Sequence, residues 1–572
     1  MRQLWIWIAL AACSKSSDQP APPAKPPVQQ GSGSAAGAAL GTIAFAVSDG
    51  SPDARAHFTR GLAALHSFWY DEAKREFQAA IDADPAMNMA YWGAALSRCK
   101  LYWREDDLQD ARALLQRMPA PARLSERERA WVDAAQQLVA EGNADASRKR
   151  FAAAMEQVHA KFPDDESAAF LALALLSATP PGDPNDLAVR KRAGELALGV
   201  YRHNPNHPGA AHYLIHAYDT PELAAEALPF ARTYAKIAPA AFHAQHMPAH
   251  IFARLGMWKE AVASCRAAWD ASVAAAEREK LSADHYDLHS LNWVIEMLFE
   301  LGRRKDADAA FALYANTVRM GLASQQRGQF AIQVGSYLKR TGEWQRVDEL
   351  LAPLDAPATD ATQPPATPGQ AEPAPSHCAP APATSPTGLL EQLSAIEARA
   401  NAAAARHDMA ATKKLVGELD AVIAKLRPFF EATQSKQGLA RIDQIDDRRR
   451  RTLLARAGGN DGALLAVLRE SAAAVDKEPA TGEANPTGSL VHEEIGDALM
   501  RLGKPKDAAA EFDAVLVKHP NRARSLLGAA RALAKAGDAA GARARYEKLV
   551  AQWDTADPDF PGLAEAKAAV AK

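Results

Sequence analysis

Residues 207–219 read HPGAAHYLIHAYD, residues 243–258 read HAQHMPAHIFARLGMW and residues 284–293 read DHYDLHSLNW. Each stretch holds a His-x-x-x-His pair: His212/His216, His246/His250 and His285/His289. The second pair follows the first by 34 residues at both members. That offset is a common period of stacked helix–turn–helix units. Residues four apart share one face of a helix, and residues one period apart occupy equivalent points on neighbouring helices. The spacing therefore predicts that four imidazoles converge on one patch. The third pair comes 39 residues after the second, so its register stays open.

The same grammar extends in both directions. Gly61, Ala73, Phe77 and Pro85 are spaced as a small residue on a first helix, a small and an aromatic residue on a second, and a closing proline. Ala249, Phe252, Gly256, Ala261 and Cys265 repeat the pattern, with Cys265 as a small core residue in the aromatic slot. Leu298, Gly302, Ala307 and Phe311 repeat it again. The clearest copies run from Gly496 to Pro520 and from Ala530 to Tyr546, where Gly503 to Gly537 and Ala508 to Ala542 each span 34 residues. Strand signals are scarce, and no sheet is expected. The expected fold is all-α, a solenoid in two blocks, residues 51–353 and 389–572, joined by a Pro/Ala-rich linker at 354–388.

These slots identify the chain as a member of the tetratricopeptide repeat superfamily over most of residues 51–353 and 485–552. HPGAAHYLIHAYD, HMPAHIFARLGMW and HPNRARSLLGAARALAKAGD further resemble an uncharacterised family of bacterial tetratricopeptide repeat proteins and lipoproteins. The resemblance implies an α-solenoid with a binding or scaffolding role, taking a protein or peptide partner in its concave groove. It supplies no catalytic residues. In the superfamily the first helix of each repeat lines that groove. This frame puts His212, His216, His243, His246, His250 and Arg254 on groove-facing positions, with Asp219, Asn292 and Glu296 close by.

Residues 1–12 read MRQLWIWIALAA, a cation before a short apolar run, which is signal-peptide grammar and too short for a membrane span. Leu10-Ala11-Ala12-Cys13 resembles a bacterial lipobox, which implies cleavage before Cys13 and lipid attachment to its thiol. Ser14 at the next position implies the outer membrane by the enterobacterial sorting pattern; a secreted or periplasmic protein is the alternative. Residues 13–50 are expected to form a disordered tether. The chain has 572 residues and a formal charge of −3, which argues against a nucleic-acid binder, where a basic footprint is expected. Its four cysteines show neither metal-ligand spacing nor a disulfide framework.

Three readings of the histidine patch are open. His at i and i+4 can chelate Zn or Cu through neutral imidazoles, which makes His212, His216, His246 and His250 candidate ligands, with Glu296 beside them. Alternatively Trp92, His243, Arg254 and Asn292 line a ligand or peptide site. Finally, the imidazoles can brace helix ends and be inert. No H-E-x-x-H, G-x-S-x-G or phosphate-binding loop is present. The expectation is therefore a non-enzyme, with a metal-dependent hydrolase using Glu296 as general base the weakest reading.

Overall fold

In the computed structural model the described residues are 40–355, 385–476 and 491–571, apart from 104, 120, 141–142, 181–182, 323, 433–438 and 440–444. The signal and lipidation readings at residues 1–13 and most of the linker at 354–388 lie outside them. Described residues from 40 onward belong to one compact unit.

The unit is an array of helical hairpins in which each helix packs on its neighbour in sequence. Pro52–His66 pairs with Tyr70–Ala83, Asp165–Ala178 with Asp186–His203, Pro208–Tyr218 with Ala224–Ile237, and Leu288–Glu300 with Arg304–Arg319. The small residues of the repeat slots explain how closely these helices approach. A Cβ on Gly93 would lie 2.2 Å from the Phe77 ring, and Phe77 is fully buried. Beyond the linker Pro386–Ala405 lies along Ser324–Thr341, so the array resumes directly across residues 356–384. Two helices follow, Pro386–Ala405 and Met409–Ala432, turned at His407, whose φ is 58°.

The all-α expectation holds with one minor exception, and one boundary moves. Among the described residues there is one sheet, a two-residue antiparallel pair between Cys99–Lys100 and Glu105–Asp106. The tether also ends earlier than residue 50. Leu40–Gly50 is extended, and its alternation of Leu40, Ile43, Phe45 and Val47 lays apolar side chains on the helices. Phe45 stacks on Trp92 at 5.4 Å, Thr42 N–H donates to Asn206 O, and Ser48 bonds Glu128.

The C-terminal repeats fold back onto the centre of the array. Gly256 takes a φ of 68°, and a Cβ there would sit 2.2 Å from Pro520 O. Trp258 Nε1 donates to Asn521 O at 2.8 Å, and Trp553 Nε1 to Glu300 O at 3.0 Å. Buried Glu300 pairs with Arg340 at 2.8 Å and accepts from Ala523 N–H at 2.6 Å. Buried Arg522 reaches Glu493 at 2.7 Å.

Candidate metal centre

The histidine stretches form two adjoining hairpins. His207 caps Pro208–Tyr218 by accepting from Ala210 N–H through Nδ1, and Pro208 fills the first helical position, where no N–H is needed. Pro248 interrupts the next stretch, dividing it into Phe242–His246 and Pro248–Arg254. His243, His246 and His250, spaced by three and four, still share a face.

That face meets His212 and His216 and forms two triads. His212, His216 and His243 make the first, and all three are buried; His246, His250 and His289 make the second, with only His289 exposed. In each triad one nitrogen per residue lies within 4.8 Å of the others. The His243 and His246 ring centroids are 6.2 Å apart, so the triads adjoin. His289 comes from Leu288–Glu300.

The patch is internal, which corrects the expectation of an open groove. Phe68 packs edge-on against His212 at 4.3 Å and stacks on His243 at 5.5 Å. Tyr102 lies 4.0 Å from His216, and Trp293 lies 4.7 Å from His250. Phe68 holds a φ of 52°, the left-handed region that a bulky residue rarely adopts, so the cover is backbone-strained above the imidazoles. Burial drives the His212 pKa down to about 3 and those of His216, His243 and His246 well below 6.5. The buried imidazoles are neutral, the protonation state in which His ligates metal.

Following the protons fixes where the lone pairs point. Asp219 is buried; burial raises its pKa, but hydrogen bonding from His250 and the charge of Arg254 outweigh that and hold it ionised. It accepts from Arg254 Nε at 2.8 Å and from His250 Nδ1 at 3.0 Å. His250 Nδ1 therefore donates to it. Ser290 Oγ donates to Asp287 at 2.5 Å and lies 2.8 Å from His246 Nδ1, which Cys265 Sγ also approaches at 3.5 Å. The His246 and His250 Nε2 atoms face each other at 3.0 Å, within hydrogen-bond distance. In the first triad His212 Nδ1 donates to His66 O at 2.7 Å, which turns its Nε2 lone pair toward His243 Nε2 at 3.1 Å.

Residues 494–558 match the tetratricopeptide repeat family model. With the hairpin array, that match decides the class. The chain carries tetratricopeptide repeats at residues 494–558. No curated protein matches its sequence. Among solved structures it is similar to a chain of the Naa15/Naa10 complex bound to HypK-THB, at 14% identity and a TM-score of 0.27, covering 90% of this chain and 64% of that one. The repeat protein thus spans less than two thirds of that chain's length. It is also similar to the Cut9-Hcn1 complex of the APC/C (12% identity, TM-score 0.27, 91% and 90% covered) and to the human IFIT1 dimer with m7Gppp-AAAA (12%, 0.32, 89% and 96%). Tetratricopeptide repeats generally mediate protein–protein contacts, so a binding scaffold is the role supported at this level.

The other candidate residues of this repeat protein scatter. Trp92 does not line a ligand site: it is 1% exposed in an aromatic core with Phe45, Trp131 and Phe170, and its Nε1 donates to Trp131 O. Glu296 turns away from the imidazoles and is bound by Gln333, Ser336 and Arg340, so it is not poised as a base. Arg254 is a partner of Asp219 and not a donor to a groove ligand. His243 joins the first triad, and Asn292 lines a cavity beside the second. The spacing did not place His289 beside His246 and His250, nor Ser290 against His246 Nδ1. The signal was there in the third His-x-x-x-His pair, whose 39-residue offset hid its register.

Proposed function

We propose that this tetratricopeptide repeat protein binds transition-metal ions, zinc or copper, in its two histidine triads. One observation carries the reading. His246, His250 and His289 each bring a ring nitrogen within 4.8 Å of the others, and the His246 and His250 Nε2 atoms lie 3.0 Å apart with His250 Nδ1 held by Asp219. A cation there would take these nitrogens as ligands in place of the hydrogen bond between them. The supporting shell fits: metal-bound imidazoles characteristically donate their other N–H to a carboxylate or hydroxyl that fixes the tautomer. Imidazole nitrogens without thiolates suit Zn and Cu.

The test is elemental analysis of untagged full-length protein after loading with zinc or copper. One ion per triad is expected, with His250→Ala losing one of the two. Less than about a tenth of an equivalent of metal would overturn the reading.

The same proposal includes a place and a partner. Leu10-Ala11-Ala12-Cys13 supports lipid anchoring at the bacterial envelope, and the repeats support a protein partner. Cys13→Ser is expected to abolish lipid labelling and release the protein from membranes. A wild type that takes up no labelled palmitate and fractionates as soluble would refute the anchor.

A further inference from the structure

The two triads differ in access. All members of the first are buried, whereas His289 of the second lines a cavity of about 560 Å³. That volume falls within the range of small-molecule sites. Three buried polar atoms on its wall have no hydrogen-bond partner among the described residues: His285 Nδ1, Asn292 Oδ1 and Gln326 Oε1. The Gln326 amide has its orientation set by Nε2, which donates to Asp284 O at 2.9 Å, so Oε1 is an acceptor. Asn292 stands one helical turn from His289 on Leu288–Glu300. Buried polar atoms are nearly always paired, so unpaired ones lining a single cavity, two of them amide oxygens, mark where a donor-bearing molecule belongs. Trp69 and Trp103 also line it, from the turn before Tyr70–Ala83 and the loop after Cys99–Lys100.

We infer that this cavity is a binding site for a small hydroxylated aromatic molecule, which ligates the metal of the His246/His250/His289 triad through an oxygen. The inference rests on the metal reading above. Three imidazoles leave a coordination position open, as in metal sites that take exogenous ligands, whereas the first triad has no face on the cavity. The aromatic walls take the ring. Of two adjacent hydroxyls on the ring, one donates to the Asn292 and Gln326 oxygens and the other places its oxygen on the metal. A ligand with acceptors alone would leave both amide oxygens unpaired, which sets the class.

Anaerobic titration of the Co(II)-loaded full-length chain with catechol tests this. The visible cobalt bands are expected to shift and saturate, with quenching of tryptophan fluorescence. Asn292→Leu and Gln326→Leu should retain their cobalt and weaken catechol binding about tenfold each, the worth of one hydrogen bond. His216→Ala should lose the ion of the first triad and keep the catechol response; His289→Ala should lose the response. Circular dichroism melts confirm that each variant is folded. Cobalt bound with no band shift, or Asn292→Leu binding catechol like the wild type, would overturn the cavity inference and leave the metal reading standing. A chain that binds no cobalt, zinc or copper would overturn both.

Discussion

Two histidine clusters in this molecule look alike by distance and differ by protons. His66, Glu166 and His207 come as close together as the members of either triad, and all are buried. There every nitrogen has a matched partner. His66 Nε2 donates to Glu166 at 2.9 Å and its Nδ1 accepts from Tyr213 OH at 2.9 Å; His207 Nδ1 accepts from Ala210 N–H, and Nε2 faces Glu166 at 3.3 Å. Burial raises the Glu166 pKa, but the two imidazoles outweigh it and keep the carboxylate ionised. This cluster is a closed hydrogen-bond network that braces three helices. Around His246 and His250 the outward nitrogens are held by Ser290 and Asp219, and the Nε2 atoms turn toward each other and His289 with no carboxylate between them. Proximity of imidazoles is thus weak evidence for a metal; the destination of the second nitrogen's proton separates a brace from a ligand set.

The contrast is sharpest under mutation. Glu166→Ala strands two buried imidazole N–H groups, and each buried donor left unsatisfied costs about 1–3 kcal/mol. Chemical denaturation should show that loss, with the gain in stability on adding zinc unchanged from wild type. A Glu166→Ala protein that no longer gains stability from metal would place its cluster among the ligand sites and erase the distinction.

Acid tests the neutral imidazoles. His212 titrates at about 3 in the folded chain and near 6.5 unfolded, so the unfolded state binds the extra proton in between. Its contribution is complete above pH 6.5 and is lost as pH falls below that value, at up to about 1.4 kcal/mol per pH unit. His216, His243 and His246 shift the same way through burial and add to the slope. Metal-free protein whose denaturation midpoint stays flat from pH 7 to pH 5 would refute the neutral, buried state.

Asp219→Asn is the subtler probe. It keeps the shape beside His250 and Arg254 but removes the charge that selects the His250 tautomer. Metal affinity is expected to fall roughly 10–100-fold, as for other partners of metal-bound histidines. Competition with a chromogenic chelator measures it, and unchanged affinity would show that Asp219 only packs. The smallest effect belongs to His159→Ala, outside all three clusters, where Nδ1 bonds Ser167 Oγ at 2.8 Å. About 1 kcal/mol of stability should be lost and metal content kept; a loss of metal there would point to a nonspecific site.

Much of this was legible in residues 207–293. The 34-residue offset placed His212, His216, His246 and His250 together, and the repeat slots gave the hairpins. The burial of the patch was not legible, because its cover comes from Phe68 and Tyr102, more than 100 residues upstream of His212 along the chain. Nor was the role of Glu296, whose partners Gln333, Ser336 and Arg340 sit in the next hairpin. Trp92 read equally well as a wall or as core, since helical spacing says which face a residue occupies and not what lies across from it. The docked segment Leu40–Gly50 was hidden in a stretch whose composition is that of a spacer; only its alternation of apolar residues marked it.

The fold-back of the C-terminal repeats changes how the array comes apart. A linear solenoid is bound only to its nearest neighbours, so its ends fray and unfolding travels inward step by step. Here Trp553 and Arg522 tie the last repeats to Glu300, and Pro520 seats on Gly256, so a terminal repeat has a second, distant neighbour. Loosening that end exposes the buried carboxylate of Glu300 in the middle of the chain. The stack behaves as a clasped loop, in which the repeat carrying His289 is held from both directions along the sequence.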